Sequence, residues 1–580
     1  MENPLRSPAD MLGSILNWQY PPFKEEKGVD RVVAFGDHSH KCPVYVRQTP
    51  PCTAACPAGN DIRAWLTTIQ QTDLKGRNWR ESCEQAWHVA SRTTPFPATC
   101  GRVCPYPCET ACNRSEKDHH AVNIAAFERW IGDYGIEHGL QHKKLVSDPI
   151  DRSIAVIGAG PAGLSCAFQL ARRGYSVTVF EALGEPGGML RYGIPAFRLP
   201  RPVLDAEIRA ITRMGVDIIC NHAIGTESDF QEIRHRFDAV FLGVGAHQGI
   251  ELDLAGQNAA NVLSGITFLR RINSGESMDI GNRVVVAGGG NTAITAARAA
   301  RRLGAEVTII YRRTRTEMPT LEKEIEDSLL ENIAFRYLVA PVGIRVEHGR
   351  ATAVKCVQME LGSIDRTGRR RVSPVTGSDF EIPCTALITS FGQRPETERF
   401  GIAMNLNGWL QPDANWSLEP GLYAGGDVLG LALVTTAIGH GRKAAESIDA
   451  RLMNRHPRRL ANQEIITHEA LRLEYYSEVE RCRKRSVPAE DRCTRGLDFE
   501  PDLGITEEQF KTESQRCMSC GLCFECRQCL IYCPQQAIME FPQNPNGEVM
   551  YTDYNRCVGC HICSLSCPCG YIKMGMAKEL

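Results

Sequence analysis

Short apolar runs followed by glycine-rich turns divide the middle of the chain into two similar segments. An apolar run at residues 153–157 precedes a glycine turn at residues 158–163, and helical periodicity continues to residue 173. The same order recurs between residues 283 and 303. Each segment therefore predicts a strand, a tight turn and a helix, which is the start of a Rossmann-like α/β domain.

The first turn contains Gly158, Gly160 and Gly163, and the next apolar strand ends in Glu181. Glycines at these positions allow backbone N–H groups and the helix N-terminus to approach a pyrophosphate, while a carboxylate at the strand end can accept the ribose hydroxyls. The combination predicts a dinucleotide site. A glycine turn in an ordinary α/β sheet is the alternative.

In the second segment Tyr311 holds the position that corresponds to Glu181, and a pair of arginines follows it directly. An arginine pair in place of the acid favours a 2′-phosphate, so the sequence is compatible with NADP as well as NAD. A solvated strand edge is the other explanation for the arginines. The candidate cofactor residues of this segment are Gly288, Gly290, Asn291, Thr292, Arg312 and Arg313.

Two copies of the spacing CxxCxxCxxxCP occur near the C-terminus. In such a repeat, three cysteines hold one [4Fe–4S] cluster and the fourth reaches across to the other cluster. A zinc ribbon needs only four cysteines and does not explain the repetition. We predict a two-cluster ferredoxin-like domain with the ligands Cys523, Cys526, Cys529, Cys533, Cys557, Cys560, Cys563 and Cys567.

Composition narrows the functional class. The 580 residues carry a formal net charge of −2, which gives no reason to expect nucleic acid as a partner. The 25 cysteines lie in metal-ligand spacing at both ends, and neither an apolar leader nor an apolar run of membrane-spanning length is seen. We expect a reducing, cytoplasmic location and no membrane span. No nucleophile with a neighbouring base is apparent, so no catalytic side chain is predicted.

Residues 40–450 resemble the glutamate synthase small-subunit family. The resemblance rests on four motifs, GRVCPYPC at 101–108, PGGMLRYGIP at 186–195, YRRTRTEMP at 311–319 and GGD at 425–427. With its C-terminal cysteine repeat, the whole chain is most similar to DsrL-type NAD(P)H:acceptor oxidoreductases. This implies that a hydride and single electrons are interconverted at FAD. A subunit of glutamate synthase or of a flavin-bifurcating ferredoxin:NADP oxidoreductase is the alternative.

The resemblance also implies an FAD site that is split by the NAD(P)-binding domain. Asp427 suits a hydrogen bond to the ribityl chain, although it could be only a helix cap. Gly392 ends an apolar strand, which is typical of a place where the chain crosses between domains beside a ligand; a buried strand with a terminal turn is the alternative. The further FAD residues implied are Gly188, Met189, Leu190, Arg198, Gly426 and Thr435.

By the same resemblance, the N-terminal region holds further clusters. Cys56, Cys104, Cys108 and Glu128 correspond to the ligands of an inner cluster near the flavin. An outer cluster has the candidates Cys42, Cys52 and Cys112, but Tyr45 replaces the second cysteine of the family's early CxxC pair. We therefore expect three or four [4Fe–4S] clusters in all. The pair Cys517 and Cys520 is interpreted as spare thiols or packing.

These observations predict an α/β chain with two nested dinucleotide-binding domains, flanked by a helical iron–sulfur domain and an α+β ferredoxin-like domain. A redox protein is expected to dock at the ferredoxin end; the resemblance indicates dissimilatory sulfite reductase, and a homodimer is left open. The domains are predicted at 1–150 (helical, iron–sulfur), 151–280 and 386–450 (FAD), 281–385 (NAD(P)), 451–510 (helical connector) and 511–580 (ferredoxin-like).

Overall fold

The computed structural model describes residues 39–251, 253–364, 370–456, 464–540 and 549–576. Parts of the predicted N-terminal, connector and ferredoxin-like domains, including residues 1–38 and 457–463, lie outside this description. The chain forms two compact units. The large unit comprises Val46–Cys526 and Pro568–Tyr571; the small unit comprises the described parts of Met1–Tyr45, Arg527–Cys567 and Ile572–Leu580.

The first dinucleotide-binding domain is built on a six-stranded sheet in the large unit. Its central strand, Ile150–Ile157, is rich in β-branched residues and is buried in its second half, as expected for a parallel strand covered on both faces. The strands Ser417–Glu419 and Leu422–Ala424 pair antiparallel, and every other neighbouring pair in the sheet is parallel. In spatial order the strands are Ser417–Glu419, Leu422–Ala424, Ala239–Leu242, Ile150–Ile157, Tyr175–Phe180 and Val216–Ile219.

Two helices cross closely on this sheet. The helix Pro161–Arg172 follows the glycine turn, and the helix Val434–Leu452 packs against it. A Cβ atom on Gly441 would lie 2.1 Å from the backbone oxygen of Ala162, so only glycine permits this approach. The helices Met189–Tyr192, Arg201–Thr212 and Glu227–Arg236 complete the domain.

The second dinucleotide-binding domain has a five-stranded parallel sheet, and its limits differ from the predicted ones. The strands Val262–Ser264 and Ala386–Thr389 both belong to this sheet. The sequence places them in the FAD-binding ranges, 151–280 and 386–450 respectively, so those two limits are wrong. The strand order is Ala334–Tyr337, Glu306–Tyr311, Arg283–Ala287, Ala386–Thr389 and Val262–Ser264. Its helices are Gly265–Asn273, Asn291–Arg302 and Glu322–Leu330.

An antiparallel sheet and a short two-stranded pairing accompany the second domain. The pairing of Gln248–Gly249 with Gln393–Arg394 brings together the two segments that enter and leave the domain. The antiparallel sheet consists of Val339–Glu347, Arg350–Ile364, Arg370–Pro374 and Phe380–Pro383.

The N-terminal part of the large unit is helical, as predicted. Its core also contains the helix Glu507–Ser514, because Phe510 is fully buried against Phe127 and stacks on Trp130 with ring centroids 4.0 Å apart. The predicted boundary at residue 511 therefore cuts through a helix of this core. The N-terminal helices are Pro51–Ala55, Ile62–Gln70, Trp79–Ala90, Pro97–Val103, Pro107–Thr110, Ser115–Asp118 and Ile124–Glu137.

The predicted connector contains little regular structure. Among its described residues are the helix Ala489–Thr494 and a pairing of Arg485–Ser486 with Asp502–Gly504. Of the helices that the described ranges contain, none combines the length and the apolar character needed to cross a membrane.

The small unit has the α+β composition expected of a ferredoxin-like domain. The strand Cys42–Tyr45 pairs antiparallel with Ile572–Gly575, and Ile538–Glu540 pairs antiparallel with Met550–Thr552. The short helices Gln528–Ile531 and Ile562–Ser566 pack together. The strand Cys42–Tyr45 comes from residues 1–150, for which the sequence predicts a helical domain.

Candidate functional site

Two glycine segments meet at the carboxyl end of the first parallel sheet. Gly158 has a φ of +100°, and a Cβ atom there would lie 2.5 Å from the backbone oxygen of Gly243. Gly188 has a φ of +53°, and its Cβ would lie 2.7 Å from the Cα of Gly160. The two segments thus form a backbone-lined cradle at a helix N-terminus, which suits a dinucleotide pyrophosphate.

Glu181 is buried beside this cradle. Its two carboxylate oxygens accept hydrogen bonds from the backbone N–H groups of Ala159, at 2.8 Å, and Leu183, at 2.9 Å. Burial raises the pKa of Glu181 above its ordinary value. The carboxylate therefore braces the glycine turn, and its contact with a ribose stays a prediction.

The second part of the predicted FAD site meets the same helix. Gly426 has a φ of +83°, and its Cβ would lie 2.8 Å from the Cβ of Ala162. Asp427 follows, and burial raises the pKa of its carboxyl to about 6. It accepts a hydrogen bond of 3.3 Å from the backbone N–H of Ala432, just before the helix Val434–Leu452. The first N–H groups of any α-helix have no partner within the helix, which is favourable for an anionic ligand.

Other predicted FAD residues lie near the cradle or at the edge of the domain. Leu190 is buried and Met189 is partly exposed in the short helix after Gly188. Arg198 donates a hydrogen bond of 3.1 Å to the hydroxyl of Thr295 and forms an ion pair of 3.0 Å with Glu324. In this conformation, Arg198 thus contacts the second dinucleotide-binding domain.

The second glycine turn also lies close to the backbone at the carboxyl end of its sheet. Gly288 has a φ of +143°, and its Cβ would lie 2.5 Å from the backbone oxygen of Ser390. Gly290 faces open space, and the helix that begins with Asn291 and Thr292 follows directly. Gly392, with a φ of +118°, accepts a hydrogen bond from the backbone N–H of Ile250. The arrangement repeats the cradle of the first domain.

The two arginines at the strand end of the second domain differ in their surroundings. Arg313 donates a hydrogen bond of 3.1 Å to the backbone oxygen of Arg370. Arg312 is exposed, and within the described ranges no hydrogen bond or ion pair engages its guanidinium. Arg312 is therefore available to contact a bound anion.

The structure brings the predicted ligands of the inner cluster together. Every pair among Cys56, Cys104, Cys108 and Glu128 is close enough for electrostatic interaction. Burial raises the pKa of Glu128 to about 8 and that of Cys104 to about 12. Several thiolates can coexist in such a buried place only beside a cation, and the irons of a cluster supply that charge. The donor set fits a [4Fe–4S] cluster.

The backbone and the side chains around Cys104 also suit a sulfur atom that is bound to iron. The N–H of Tyr106 donates a hydrogen bond of 3.4 Å to the sulfur of Cys104. The hydroxyl of Thr435 lies 3.7 Å from the same sulfur. Cys100 is fully buried and interacts with Cys104 and Glu128.

A second group of cysteines lies in the helical part of the large unit. Cys52 and Cys112, predicted for the outer cluster, lie together with Cys517 and Cys520. Cys42 belongs to the small unit, where it pairs with Gly575 and interacts with Cys557. Cys517 and Cys520, which the sequence indicates as spare thiols or packing, have the CxxC spacing that the early pair of this chain lacks.

In the small unit, one predicted ferredoxin ligand set surrounds a cavity. Its lining includes Cys557, Cys560 and Cys563 of the second repeat together with Cys533 of the first repeat. This exchange of the fourth cysteine is the pattern of two-cluster ferredoxins. For the other predicted set, Cys529 and Cys567 belong to the small unit, whereas Cys523 and Cys526 belong to the large unit.

No three His, Cys, Asp or Glu side chains of the described residues converge tightly enough to hold a single metal ion. Four cysteines that bind a [4Fe–4S] cube surround the cluster instead of meeting at one point.

Three family models match the chain. Residues 152–441 match the pyridine nucleotide-disulphide oxidoreductase model. Residues 37–140 match the 4Fe-4S domain II of dihydropyrimidine dehydrogenase, and residues 522–571 match the 4Fe-4S dicluster domain. These matches support FAD, NAD(P) and [4Fe–4S] clusters as the cofactors.

Curated relatives extend over most of the chain. The β subunit of NADPH-Fe(3+) oxidoreductase from Geobacter sulfurreducens is 34% identical over 82% of this chain and 75% of its own length. The β subunit of NADP(+)-dependent formate dehydrogenase from Moorella thermoacetica is 36% identical over 69% of this chain and 60% of its own length. The glutamate synthase [NADPH] small chain of Escherichia coli is 34% identical over 74% of this chain and 92% of its own length.

Among solved structures, FprA from Mycobacterium tuberculosis in complex with NADPH matches with a TM-score of 0.47 and 19% identity. The match covers 53% of this chain and 85% of that chain.

Proposed function

Since this chain belongs to the pyridine nucleotide-disulphide oxidoreductase family, we propose that it is the subunit of a complex that exchanges a hydride with NAD(P)(H) and single electrons with a protein partner. As an iron–sulfur flavoprotein, it is an NAD(P)H oxidoreductase. The observation that carries the proposal is the position of the inner cysteine group, since Cys104 lies beside Thr435 at the start of a flavin-domain helix.

Bound FAD would supply the exchange between a hydride and two single electrons, and bound iron–sulfur clusters would supply a path for those electrons. The residues of this chain bind and orient these groups. The backbone around Gly158 and Gly188 provides the close approach that a pyrophosphate needs. Arg312 provides a free guanidinium for the phosphate of the nicotinamide cofactor.

We propose dissimilatory sulfite reductase as the partner, with electrons passing from sulfur oxidation toward NAD(P). The resemblance to DsrL-type oxidoreductases supports this choice. The relatives from Geobacter and Moorella are named as β subunits, which supports a partner of some kind. Membership of a glutamate synthase or flavin-bifurcating complex is the second candidate. The 92% coverage of the Escherichia coli glutamate synthase small chain favours the first of these two complexes.

The test uses the full chain, prepared without oxygen. NAD(P)H-dependent reduction of a dye reports on the flavin site, and NAD(P)H-linked sulfite reduction with added sulfite reductase reports on the partner. We expect Cys560→Ala to abolish the linked reaction while dye reduction continues, because Cys560 lines the cavity of the small unit. The partly exposed Cys493 provides the matched control Cys493→Ala, which should retain both reactions.

Two results would count against the proposal. Linked sulfite reduction that persists in Cys560→Ala would remove the ferredoxin-like domain from the route to the partner. If the wild-type protein reduces the dye but shows no linked sulfite reduction, the partner is not sulfite reductase. The same assay with a glutamate synthase large subunit then tests the second candidate.

A further inference from the structure

We propose that Cys52, Cys112, Cys517 and Cys520 bind a fourth [4Fe–4S] cluster, in which a C-terminal CxxC pair replaces the early CxxC pair of the family. Every pair among these four thiols lies close enough for electrostatic interaction. All four belong to the large unit. The assignment goes beyond the proposed function, because it holds for any electron partner.

The loop that carries the C-terminal pair is fixed onto the N-terminal helix Ile62–Gln70. Gln70 donates a hydrogen bond of 2.7 Å to the backbone oxygen of Cys517, and Arg63 donates one of 2.6 Å to the backbone oxygen of Cys520. The hydroxyls of Thr67 and Ser519 are 3.3 Å apart. Three contacts from one helix therefore set the position of both cysteines relative to the N-terminal domain.

A buried ionic network fixes the chain immediately before Cys517. Arg516 is fully buried and forms an ion pair of 2.6 Å with Glu513. Its guanidinium also donates hydrogen bonds to the backbone oxygens of His120, at 2.7 Å, and Ala121, at 2.9 Å. A charged side chain is buried only where it is paired in this way, so the segment is held in one conformation.

The sulfur atoms also have suitable neighbours. The side-chain N–H of Asn113, next to Cys112, donates a hydrogen bond of 3.7 Å to the sulfur of Cys520. The N-terminal helical region supplies Cys52 and Cys112, the C-terminal pair supplies Cys517 and Cys520, and a [4Fe–4S] cluster requires four ligands. The set is therefore complete without Cys42.

The early segment has a different role in this chain. Cys42 and Tyr45 lie in a strand of the small unit, and the Tyr45 hydroxyl is 2.8 Å from that of Thr552. Tyrosine has no thiol, so Tyr45 cannot supply the thiolate that the family pattern requires at its position. The Cys517–Cys520 pair supplies two thiols with the same spacing as the early pair.

The test measures iron, acid-labile sulfide and the electron paramagnetic resonance (EPR) spectrum of the reduced full-length protein. We expect Cys517→Ala to lose about four irons per chain relative to wild type, since one cluster contains four. Cys52→Ala should lose the same EPR signal. The double variant should lose no more iron than either single variant, because both residues bind one cluster. Additional loss in the double variant would overturn the assignment.

Further variants distinguish ligands of a cluster from spare thiols, and loss of a cluster from misfolding. We expect the wild-type iron content in Cys42→Ala and in Cys493→Ala. A loss of four irons in Cys42→Ala would show that Cys42 is a cluster ligand and would overturn the proposal. Cys520→Asp should retain the cluster with an altered EPR signal. An unchanged iron content in Cys517→Ala, or an unchanged signal in Cys520→Asp, would show that the pair is not ligating. Retained FAD shows that each variant is folded.

Discussion

The hydroxyl oxygen of Thr435 lies 3.7 Å from the sulfur of Cys104. Thr435 belongs to the first turn of the helix Val434–Leu452, whose N-terminus is part of the predicted FAD site, and Cys104 belongs to the inner cysteine group. A single side-chain contact thus joins the region of the flavin to the region of a cluster. When the sulfur is an iron-bound thiolate, the hydroxyl is the donor.

Removing this donor should lower the reduction potential of the inner cluster, because hydrogen bonds to the sulfurs stabilise the reduced, more negative state. Thr435→Val keeps the shape of the side chain without its hydroxyl. We expect a shift of roughly 40 mV, which corresponds to ~1 kcal/mol for one electron. A redox titration followed by EPR measures the shift. Thr435→Ser keeps a hydroxyl and should stay near the wild-type potential; an equal shift in both variants would exclude the hydrogen bond as the cause.

The two dinucleotide-binding cores could be predicted because their signals are local. A strand, a glycine turn and a helix follow each other directly in the sequence, and the structure has them at Gly158 and Gly288. The limits of the second domain could not be predicted in the same way. Its outer strand Val262–Ser264 pairs with Ala386–Thr389, and sequence spacing does not reveal such a long-range partnership.

Among the cysteine groups, too, one could be predicted from the sequence and another could not. The inner group could be assigned residue by residue from the family motif, and the structure gathers Cys56, Cys104 and Cys108 around Glu128. The position of Cys517 depends on the burial of Phe510 and Arg516 in a core formed mostly by N-terminal helices. This packing joins residues that are distant in the sequence, so spacing alone could not reveal it.

The buried Glu207 should make stability depend on pH. Its carboxylate accepts hydrogen bonds from the N–H groups of Ala98, at 2.7 Å, and Thr99, at 3.1 Å, at the start of the helix Pro97–Val103. Burial raises its pKa from 4.5 to about 8. The folded state therefore binds the proton more tightly, and the contribution of Glu207 to stability is full below pH 4.5 and declines as the pH rises toward 8.

Glu207→Gln cannot ionise, so the difference between its thermal unfolding midpoint and that of the wild type should change with pH. The wild type should lose stability relative to the variant between about pH 5 and pH 8, by up to about 1.4 kcal/mol for each unit of pKa shift. A difference that is constant over this range would show that Glu207 keeps an ordinary pKa. Glu474→Gln, at an exposed position in the connector, provides the control.

Arg312→Ala should weaken the binding of NADPH more than the binding of NADH. The guanidinium of Arg312 is exposed and unpaired among the described residues, so a 2′-phosphate can form a charge-assisted bond that NADH cannot form. We expect a loss of about 1.5–3 kcal/mol in the apparent binding of NADPH. Steady-state kinetics with both cofactors measure it. Arg315, which is paired with Glu322, provides the control Arg315→Ala, and equal losses for NADPH and NADH in Arg312→Ala would make Arg312 a structural residue.

Gly188→Ala should yield protein with little bound FAD. The added Cβ would lie 2.7 Å from the Cα of Gly160, and the φ of +53° is unfavourable for alanine, so the two glycine segments would have to separate. That separation would remove the backbone cradle that suits the pyrophosphate. The ratio of flavin absorbance to protein measures the effect. Gly184→Ala is the matched control in the same segment, because its Cβ would meet only the Asn221 side chain, at 3.6 Å. Full flavin content in Gly188→Ala would place the FAD pyrophosphate elsewhere.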